Sequence, residues 1–223
     1  KLSHRILVYG NYSEVYQHEK LRNKVRVIGN CMNWIDYDSK KNEKFKETSH
    51  NILRIIFSGR IVENKKLEIL LNSCSKLQIP YELKIIGTGD MKEEYKTFSK
   101  LNQINVEFVG KKYGEEVKQI MNWADIMVIS GKVGLSLVHA YANNLPVVMH
   151  DNYSLHSPEY EIHSRNNNFL FKMNNSFDLS QKLTNIFENR LFEKERLICI
   201  DRLVEYGYYP DIVAEKIINS LKL

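Results

Sequence analysis

Three glycine-bearing turns follow apolar runs of the sequence, and each combines residue types that bind phosphate. The first contains Gly59 and Arg60, with Lys65 and Lys66 shortly after them. Glycine permits a tight turn, and an arginine with a lysine on the next helical turn can hold a pyrophosphate from two sides. A solvated pair of surface cations at the start of a helix is equally compatible with this pattern.

The second turn has Gly87 and Gly89 just before a predicted helix. Its backbone N–H groups could face a phosphate or a ribose, because the first turn of a helix has unpaired donors and partial positive charge. The same spacing also fits a plain strand-to-helix turn in which Asp90 caps the helix.

The third turn, residues 130–136, is the most typical of a phosphate site and opens the helix that carries His139. After Ser130 its members are Gly131, Lys132, Val133, Gly134, Leu135 and Ser136. Two glycines allow close backbone approach, and the helix dipole favours an anion at this end. His139 follows Ser136 by three residues and shares its helix face, although a buried structural histidine fits the pattern as well.

A last candidate follows the apolar run 147–149. Glu159 and Glu161 could bind sugar hydroxyls, or could simply begin a helix after Pro158. The sequence has no close His/Cys/Asp cluster, no GxSxG turn and no GxxxxGK[ST] loop. Zinc enzymes, hydrolases of the nucleophile-elbow type and P-loop proteins therefore lose support.

The elements that must position these turns alternate between two periodicities. Six short apolar runs predict strands, at residues 53–57, 83–86, 106–109, 126–129, 147–149 and 169–171. Helical spacing lies between them, at residues 67–77, 91–98, 117–123 and 137–141. This order predicts an α/β fold with a doubly wound, Rossmann-like parallel sheet, which binds ligands at the carboxyl ends of its strands.

Both ends of the chain differ from this pattern. Three consecutive helices are predicted at residues 179–187, 192–206 and 212–221, and we expect them to pack across the sheet. Two further strands are predicted at residues 6–9 and 25–28, followed by a polar, lysine-rich linker at 36–49. We therefore predict that residues 1–50 hold the remnant of a neighbouring domain and the linker, and that residues 51–223 form the main domain.

Composition excludes several classes of protein. The 223 residues are 43% hydrophobic, and the apolar runs are too short to cross a bilayer. A net charge of +5 is spread along the chain, so no nucleic-acid partner is expected. The three cysteines, Cys31, Cys74 and Cys199, are odd in number and widely separated, so they predict neither a disulfide framework nor a zinc site. They favour a cytoplasmic location. The first residues include no initiator methionine and no signal peptide, so we expect this chain to be part of a longer protein.

In order and spacing, the four sites resemble the nucleotide-sugar-binding half of the family 4 glycosyltransferases of the GT-B fold. The matching segments are FSGRIVENKK at 57–66, IIGTGD at 85–90, VEFVGKK at 106–112, WADIMVISGKVGLSLVHAYANNLPVVMHDN at 123–152 and PEYE at 158–161. The Gly-Leu-x-x-x-His pattern from Gly134 to His139 is similar to that of bacterial surface-polysaccharide transferases. Residues 1–50 then resemble the end of the acceptor-side domain.

The resemblance implies a role for each site residue. Arg60 and Lys65 would be the catalytic pair that neutralises the donor pyrophosphate, with Lys66 as the alternative to Lys65. The remaining implied donor-binding residues are Gly59, Gly87 and Gly89 in the cleft, Val109, Gly110 and Lys111 at the nucleobase, the loop from Gly131 to Ser136 at the pyrophosphate and sugar, His139 at the ribose, and Glu159.

One departure from the family concerns two glutamates eight residues apart. Their positions here are occupied by Gly131 and His139. A histidine ring nitrogen could still bind ribose hydroxyls, but glycine cannot contact the donor sugar with a side chain. We interpret the pair as a subfamily trait, since the histidine-bearing relatives share it.

The implied activity is transfer of a sugar from a nucleoside diphosphate sugar to a hydroxyl, with retention of configuration and with neither metal nor cofactor. It would serve polysaccharide, lipopolysaccharide or capsule synthesis on a glycan or lipid-linked acceptor. We expect a cytoplasmic enzyme, compatible with peripheral association at the inner face of the membrane, whose N-terminal acceptor domain is missing from this chain. One alternative is a catalytically silent GT-B binding or assembly module. A nicotinamide enzyme is a weaker one, since no GxGxxG opens a first βα unit.

Overall fold

The computed structural model describes residues 5–9, 19–29, 51–163, 165–208 and 210–221. Within these ranges the strands form two parallel sheets. Strands β1 (Ile6–Val8) and β2 (Val25–Val27) pair in a small sheet, with helix α1 (Glu19–Arg22) between them in sequence. The predicted linker at 36–49 and Cys31 lie outside the described residues.

The large sheet has six strands and confirms the predicted doubly wound α/β class. They are β3 (Leu53–Ser58), β4 (Tyr81–Ile86), β5 (Val106–Gly110), β6 (Ile126–Ile129), β7 (Val147–His150) and β8 (Leu170–Phe171). All neighbours pair in parallel, in the order β5-β4-β3-β6-β7-β8. The chain therefore winds outward from β3 in one direction and from β6 in the other. A crevice at such a reversal is where open α/β sheets bind ligands.

Seven helices follow β3 along the described residues. They are α2 (Leu67–Cys74), α3 (Lys92–Leu101), α4 (Gly114–Trp123), α5 (Leu135–Ala142), α6 (Ser176–Glu188), α7 (Leu191–Glu205) and α8 (Pro210–Leu221). Short 3-10 helices cover Glu63–Lys65, Tyr153–Leu155, Pro158–Ile162 and Asn167–Phe169. No helix in the described ranges has the length and apolar composition to cross a membrane.

The core lies on both faces of the large sheet, because successive strand residues point to opposite sides. On β3, Ile55 and Phe57 pack with the apolar residues of α2, whereas Ile56 packs with those of α4 and α5. On β6, Val128 joins the first cluster and Ile129 the second. Covering both faces requires the uninterrupted apolar strands seen in the sequence.

Two of the C-terminal helices, α6 and α7, extend the helix layers on opposite faces of the large sheet. Helix α6 contacts α2 and shares its cluster, and helix α7 contacts α5 on the other side. The start of α6 lies three residues before the predicted one, because the Asn175 side chain accepts a hydrogen bond from the Asp178 N–H at 2.9 Å and caps the helix. The tail thus braces the helices that carry the site.

Candidate functional site

The loops that follow β3, β4 and β5 are joined to one another through their backbones. Three hydrogen bonds make this connection: Gly59 N–H to Ile86 O at 3.0 Å, Ile61 N–H to Thr88 O at 2.9 Å, and Gly87 N–H to Gly110 O at 2.8 Å. We call this set the loop ladder. It continues the hydrogen bonding of the sheet beyond the strand ends and forms a floor at the carboxyl edge.

The glycines of the second turn are needed because two loops touch backbone to backbone. Gly87 has a φ of +137°, and a Cβ on it would lie 3.0 Å from the Gly59 carbonyl carbon. A Cβ on Gly89 would lie 2.6 Å from the carbonyl carbon of Ile61. Both distances are far inside van der Waals contact, so neither position accepts a side chain without displacing the neighbouring loop.

The alternative interpretation of this turn, with Asp90 as the cap of the next helix, is wrong. Helix α3 has Met91 at its N-cap, in helical backbone conformation and without a side-chain cap hydrogen bond. The Met91 N–H instead bonds the Ile61 carbonyl at 3.3 Å. The helix start is therefore held by the β3 loop.

A cleft of about 210 Å³ opens above the loop ladder. It is lined by Ser58, Gly59, Arg60, Ile86, Gly87, Thr88, Lys111, Lys112 and Tyr113. Four of these residues were predicted from the sequence, and the others were not, among them Thr88 and Tyr113, which is 72% exposed. Their only signal was position, since each lies within two residues of a predicted residue.

The residues predicted at the nucleobase have different surroundings. Lys111 lines the cleft and is exposed. Gly110 uses its carbonyl in the loop ladder, and half-buried Val109 packs against the core. Of the three, the structure brings Lys111 to the cleft lining, and the predicted backbone contacts of the other two stay predictions.

Lys65 connects the loops that follow β3 and β6, near two other cations. The Lys65 ammonium donates a hydrogen bond to the Lys132 carbonyl at 3.0 Å. Burial, together with the neighbouring charges of Arg60 and Lys132, lowers the pKa of Lys65. Like charges held this close favour an anion between them, since it would offset their mutual repulsion.

The structure distinguishes Lys65 from Lys66. Lys66 has a φ of +51°, which redirects the chain into α2, and its ammonium lies 3.7 Å from the Glu68 carboxylate. Lys65 is the one that reaches the β6 loop and lies near Arg60. The geometry therefore favours Lys65 as the second cation of an anion site.

The β6 loop packs directly on the turn that carries Lys65. The Ser130 hydroxyl donates to the Lys65 carbonyl at 3.2 Å. A Cβ on Gly131 would lie 2.7 Å from Lys65 Cα and closer still to the Asn64 carbonyl oxygen. Position 131, where the resembling family has a glutamate, is thus a backbone contact with no room for a side chain.

Helix α5 begins immediately after this loop, as predicted. Gly134 is its N-cap, with extended backbone and no side-chain cap hydrogen bond. The N–H groups of the first helical turn lack intrahelical partners, and the helix dipole makes this end positive. Ser136 and His139 are both half-buried along α5, and Lys132 is exposed beside its start.

Two histidines near the site, His150 and His156, were not predicted from the sequence as functional residues. His150 and His156 are buried, and their rings stack with centroids 4.0 Å apart beneath the β6 loop. His156 Nδ1 accepts a hydrogen bond from the Val133 N–H at 3.2 Å. Two histidines six residues apart across a turn have no periodicity that would reveal such a contact.

Glu159 lies in the 3-10 helix Pro158–Ile162, which contacts α5. The helix start at Pro158 is confirmed, and the Glu159 side chain is buried at 3% exposure. Its predicted contact with the donor stays a prediction. Within the described residues, no group of three or more His, Cys, Asp or Glu side chains is placed to hold a metal ion.

Comparison with known proteins places this architecture among sugar transferases. AmsK of Erwinia amylovora, an amylovoran biosynthesis glycosyltransferase, is 31% identical over 123 residues, which are 49% of this chain and 30% of AmsK. The catalytic domain of cholesterol-α-glucosyltransferase from Helicobacter pylori superposes with a TM-score of 0.63 at 21% identity, covering 69% of this chain and 98% of that one. HepE of Anabaena in complex with UDP gives a TM-score of 0.77 at 14% identity, covering 98% of this chain and 64% of HepE.

The two structures share the fold at low identity, and the chain matches less than a third of the length of AmsK. The family itself rests on the match of residues 38–202, most of the chain and all four site segments, to the model described as glycosyl transferases group 1. The chain therefore belongs to the group 1 glycosyl transferases, which are family 4 of the GT-B fold.

Proposed function

We propose that this chain binds the donor of a glycosyltransferase, a nucleoside diphosphate sugar, at the carboxyl edge of its large sheet. The diphosphate lies at the switch point against Arg60, Lys65 and the first turn of α5. The nucleoside occupies the cleft above the loop ladder, and the sugar lies on the other side of the diphosphate.

One observation carries this proposal more than any other. Lys65 bonds the Lys132 carbonyl beside the positive end of α5, and the charges of Arg60 and Lys132, from the loops after two different strands, lower the pKa of Lys65. A helix N-terminus with convergent cations is a site for a strongly charged anion. A diphosphate supplies that charge. The adjoining cleft of about 210 Å³ has room for a ring of the nucleoside attached to the diphosphate.

In the proposed reaction, the bond between the anomeric carbon and the diphosphate breaks while an acceptor hydroxyl bonds to the same face of that carbon. The hydroxyl proton is released, and the diphosphate leaves with added negative charge. Arg60 and Lys65 stabilise that charge where it develops, which is electrostatic catalysis that calls for no cofactor. Turnover requires the acceptor domain to close on the cleft.

The relatives suggest which substrates to test first. HepE has been solved with UDP-glucose and TarM of S. aureus with UDP, and AmsK is named for amylovoran biosynthesis. A uridine diphosphate sugar and a growing surface polysaccharide are therefore the donor and acceptor class that we propose. A thermal-shift panel of UDP, GDP, ADP and NAD tests the donor class, since a ligand of the native state raises Tm. A Tm rise with NAD alone would reject it.

Replacing Arg60 by alanine is expected to weaken UDP binding by about 1.5–3 kcal/mol, the usual contribution of a hydrogen bond to a charged group. That is roughly a tenfold to hundredfold increase in Kd. Isothermal titration calorimetry measures it directly. Lys65→Met should act in the same direction.

Lys100→Ala is the matched control for these cation variants. Lys100 is exposed in the last turn of α3, and in a parallel βαβ unit that end of the helix lies at the amino edge of the sheet. It should leave the Kd unchanged. Equal affinity of wild type, Arg60→Ala and Lys65→Met for UDP would contradict the placement of the diphosphate.

For His139 we expect a ribose-dependent effect. If its ring binds a ribose hydroxyl, wild type should bind UDP more tightly than 2′-deoxy-UDP, and His139→Leu should remove most of that difference. His139→Gln, which retains hydrogen-bonding groups, should preserve part of it. A purely structural histidine would instead lower Tm in both variants while the two Kd values of the folded protein stay as in wild type.

A further inference from the structure

Both backbone polar groups of Val133 are hydrogen-bonded to the segment 156–157. Its N–H donates to His156 Nδ1 at 3.2 Å, and its carbonyl accepts from the Ser157 N–H at 3.2 Å. We call these two bonds the Val133 clamp. The Val133 side chain is also buried, at 1% exposure. The residue just before the N-cap of α5 is thus fixed from outside the helix.

The hydrogen bonds of His156 define its tautomer. Because Nδ1 accepts from an amide, it bears no hydrogen, and the proton of the neutral ring is on Nε2. Nε2 lies 2.9 Å from the His150 carbonyl and donates to it. The His156 ring stacks on His150, whose own Nδ1 accepts from the Asn152 N–H at 3.2 Å. Both ring nitrogens of His156 are therefore committed, and the ring cannot turn without losing two bonds.

The other side of the β6 loop is attached to the cation site. Ser130 and Gly131 pack on the backbone of Lys65, and the Lys65 ammonium bonds the Lys132 carbonyl. Lys132 is the residue directly before Val133. A shift of Val133 would therefore move the carbonyl that orients Lys65 and, on the other side, the first N–H groups of α5.

We propose that His156 is a positioning residue for the diphosphate site, acting through the Val133 clamp. It holds the β6 loop where Lys65 and the start of α5 converge on one anion. This inference rests on the proposed function, since it concerns how that same site is built. His156 itself is buried at 4% exposure under the loop and need not touch the donor.

Two substitutions separate the two bonds of the ring. His156→Asn places an amide oxygen near the Nδ1 position and keeps the acceptor for Val133. His156→Gln places an amide N–H near Nε2 and keeps the donor to His150, but loses that acceptor. Both remove the ring stack, so both should lose similar stability. We expect the Kd for UDP to rise at least about tenfold in His156→Gln and to stay within about threefold of wild type in His156→Asn.

A second variant keeps the test decisive if His156→Gln does not fold. Ser157 has a φ of −79° and His156 is extended, so proline fits at position 157. It removes the N–H that bonds Val133, together with the serine hydroxyl, for which Ser157→Ala is the control. Ser157→Pro should also raise the Kd for UDP. Hydrogen exchange of the Val133 amide gives a readout without ligand: slow exchange in wild type and His156→Asn, faster exchange in His156→Gln.

The outcomes are distinguishable. If wild type binds UDP and all three variants bind it equally well, or the two histidine variants lose equal affinity, the positioning role is overturned while the proposed function stands. If wild type binds no nucleoside diphosphate, the proposed function fails and the positioning role fails with it. Loss in His156→Gln and Ser157→Pro, with retention in His156→Asn, supports the role.

Discussion

Gly131→Ala is expected to lower the free energy of unfolding by about 3 kcal/mol or more and to raise the Kd for UDP at least about tenfold. Overpacking usually costs about 1–3 kcal/mol. Here the added Cβ meets backbone atoms of Asn64 and Lys65, which cannot rotate away as a side chain does. The β6 loop and the Lys65 turn must separate, so stability and anion binding should fall together. Urea unfolding and calorimetry measure the two effects.

Gly134→Ala is the matched control, three residues further along the same loop. A Cβ there meets nothing within 4 Å, and the backbone is extended. It should cost less than about 1 kcal/mol, the scale of a changed N-cap. Gly131→Glu, which supplies the carboxylate of the resembling family, should be worse than alanine and not a gain of function. Equal stability of the Gly131 and Gly134 variants would contradict the steric argument.

Acid should destabilise the protein strongly between pH 6.5 and pH 4. Burial lowers the pKa of His150 and that of His163 to about 4, and burial also lowers the pKa of His156. Unfolded histidine has a pKa of about 6.5, so in this window the unfolded state binds more protons, and stability falls as pH decreases. Each group contributes about 1.4 kcal/mol per pH unit. Above pH 7 these groups do not make the free energy of unfolding depend on pH.

The shifts of His150 and His163 predict that the free energy of unfolding falls by about 2.7 kcal/mol between pH 7.5 and pH 5.5. His156 adds to this loss. Urea unfolding at both pH values gives this number. His163→Gln should reduce the slope by about 1.4 kcal/mol per pH unit, because it removes a buried ring whose Nδ1 accepts from the Arg165 N–H. Protonation abolishes that acceptor, whereas Nε2 donates to the Val147 carbonyl in either form. Imidazole proton resonances titrating near pH 6.5 would rule out this explanation.

The fold was predictable because its signals are local. Apolar runs such as 126–129 are long enough for a strand buried on both faces, and helical spacing between them implies crossovers. The glycine turns were predictable for the same reason, since Gly87, Gly89 and Gly131 each lie within three residues of the end of a strand. In a parallel sheet this position alone brings them to one edge.

The parts that escaped prediction depend on contacts between distant residues. Lys65 and Lys66 are equivalent in the sequence, and only the left-handed backbone at Lys66 separates their directions. The bond between His156 and Val133 joins residues 23 apart and leaves no periodic trace. Asp90 has the residue type of a cap, yet the N-cap is Met91, whose N–H bonds the Ile61 carbonyl of the β3 loop.

The loop ladder has a thermodynamic consequence for whatever binds above it. Loops normally lose conformational freedom when a ligand orders them, and that entropy opposes association. Here the backbones of Gly59, Ile61 and Gly87 are already hydrogen-bonded across three loops. These backbones lose their conformational entropy when the chain folds. Binding of a nucleotide therefore does not have to order the loop ladder, and its affinity is not reduced by that cost. The conformational entropy that binding still removes is therefore mainly that of the exposed cationic side chains Arg60, Lys111 and Lys132.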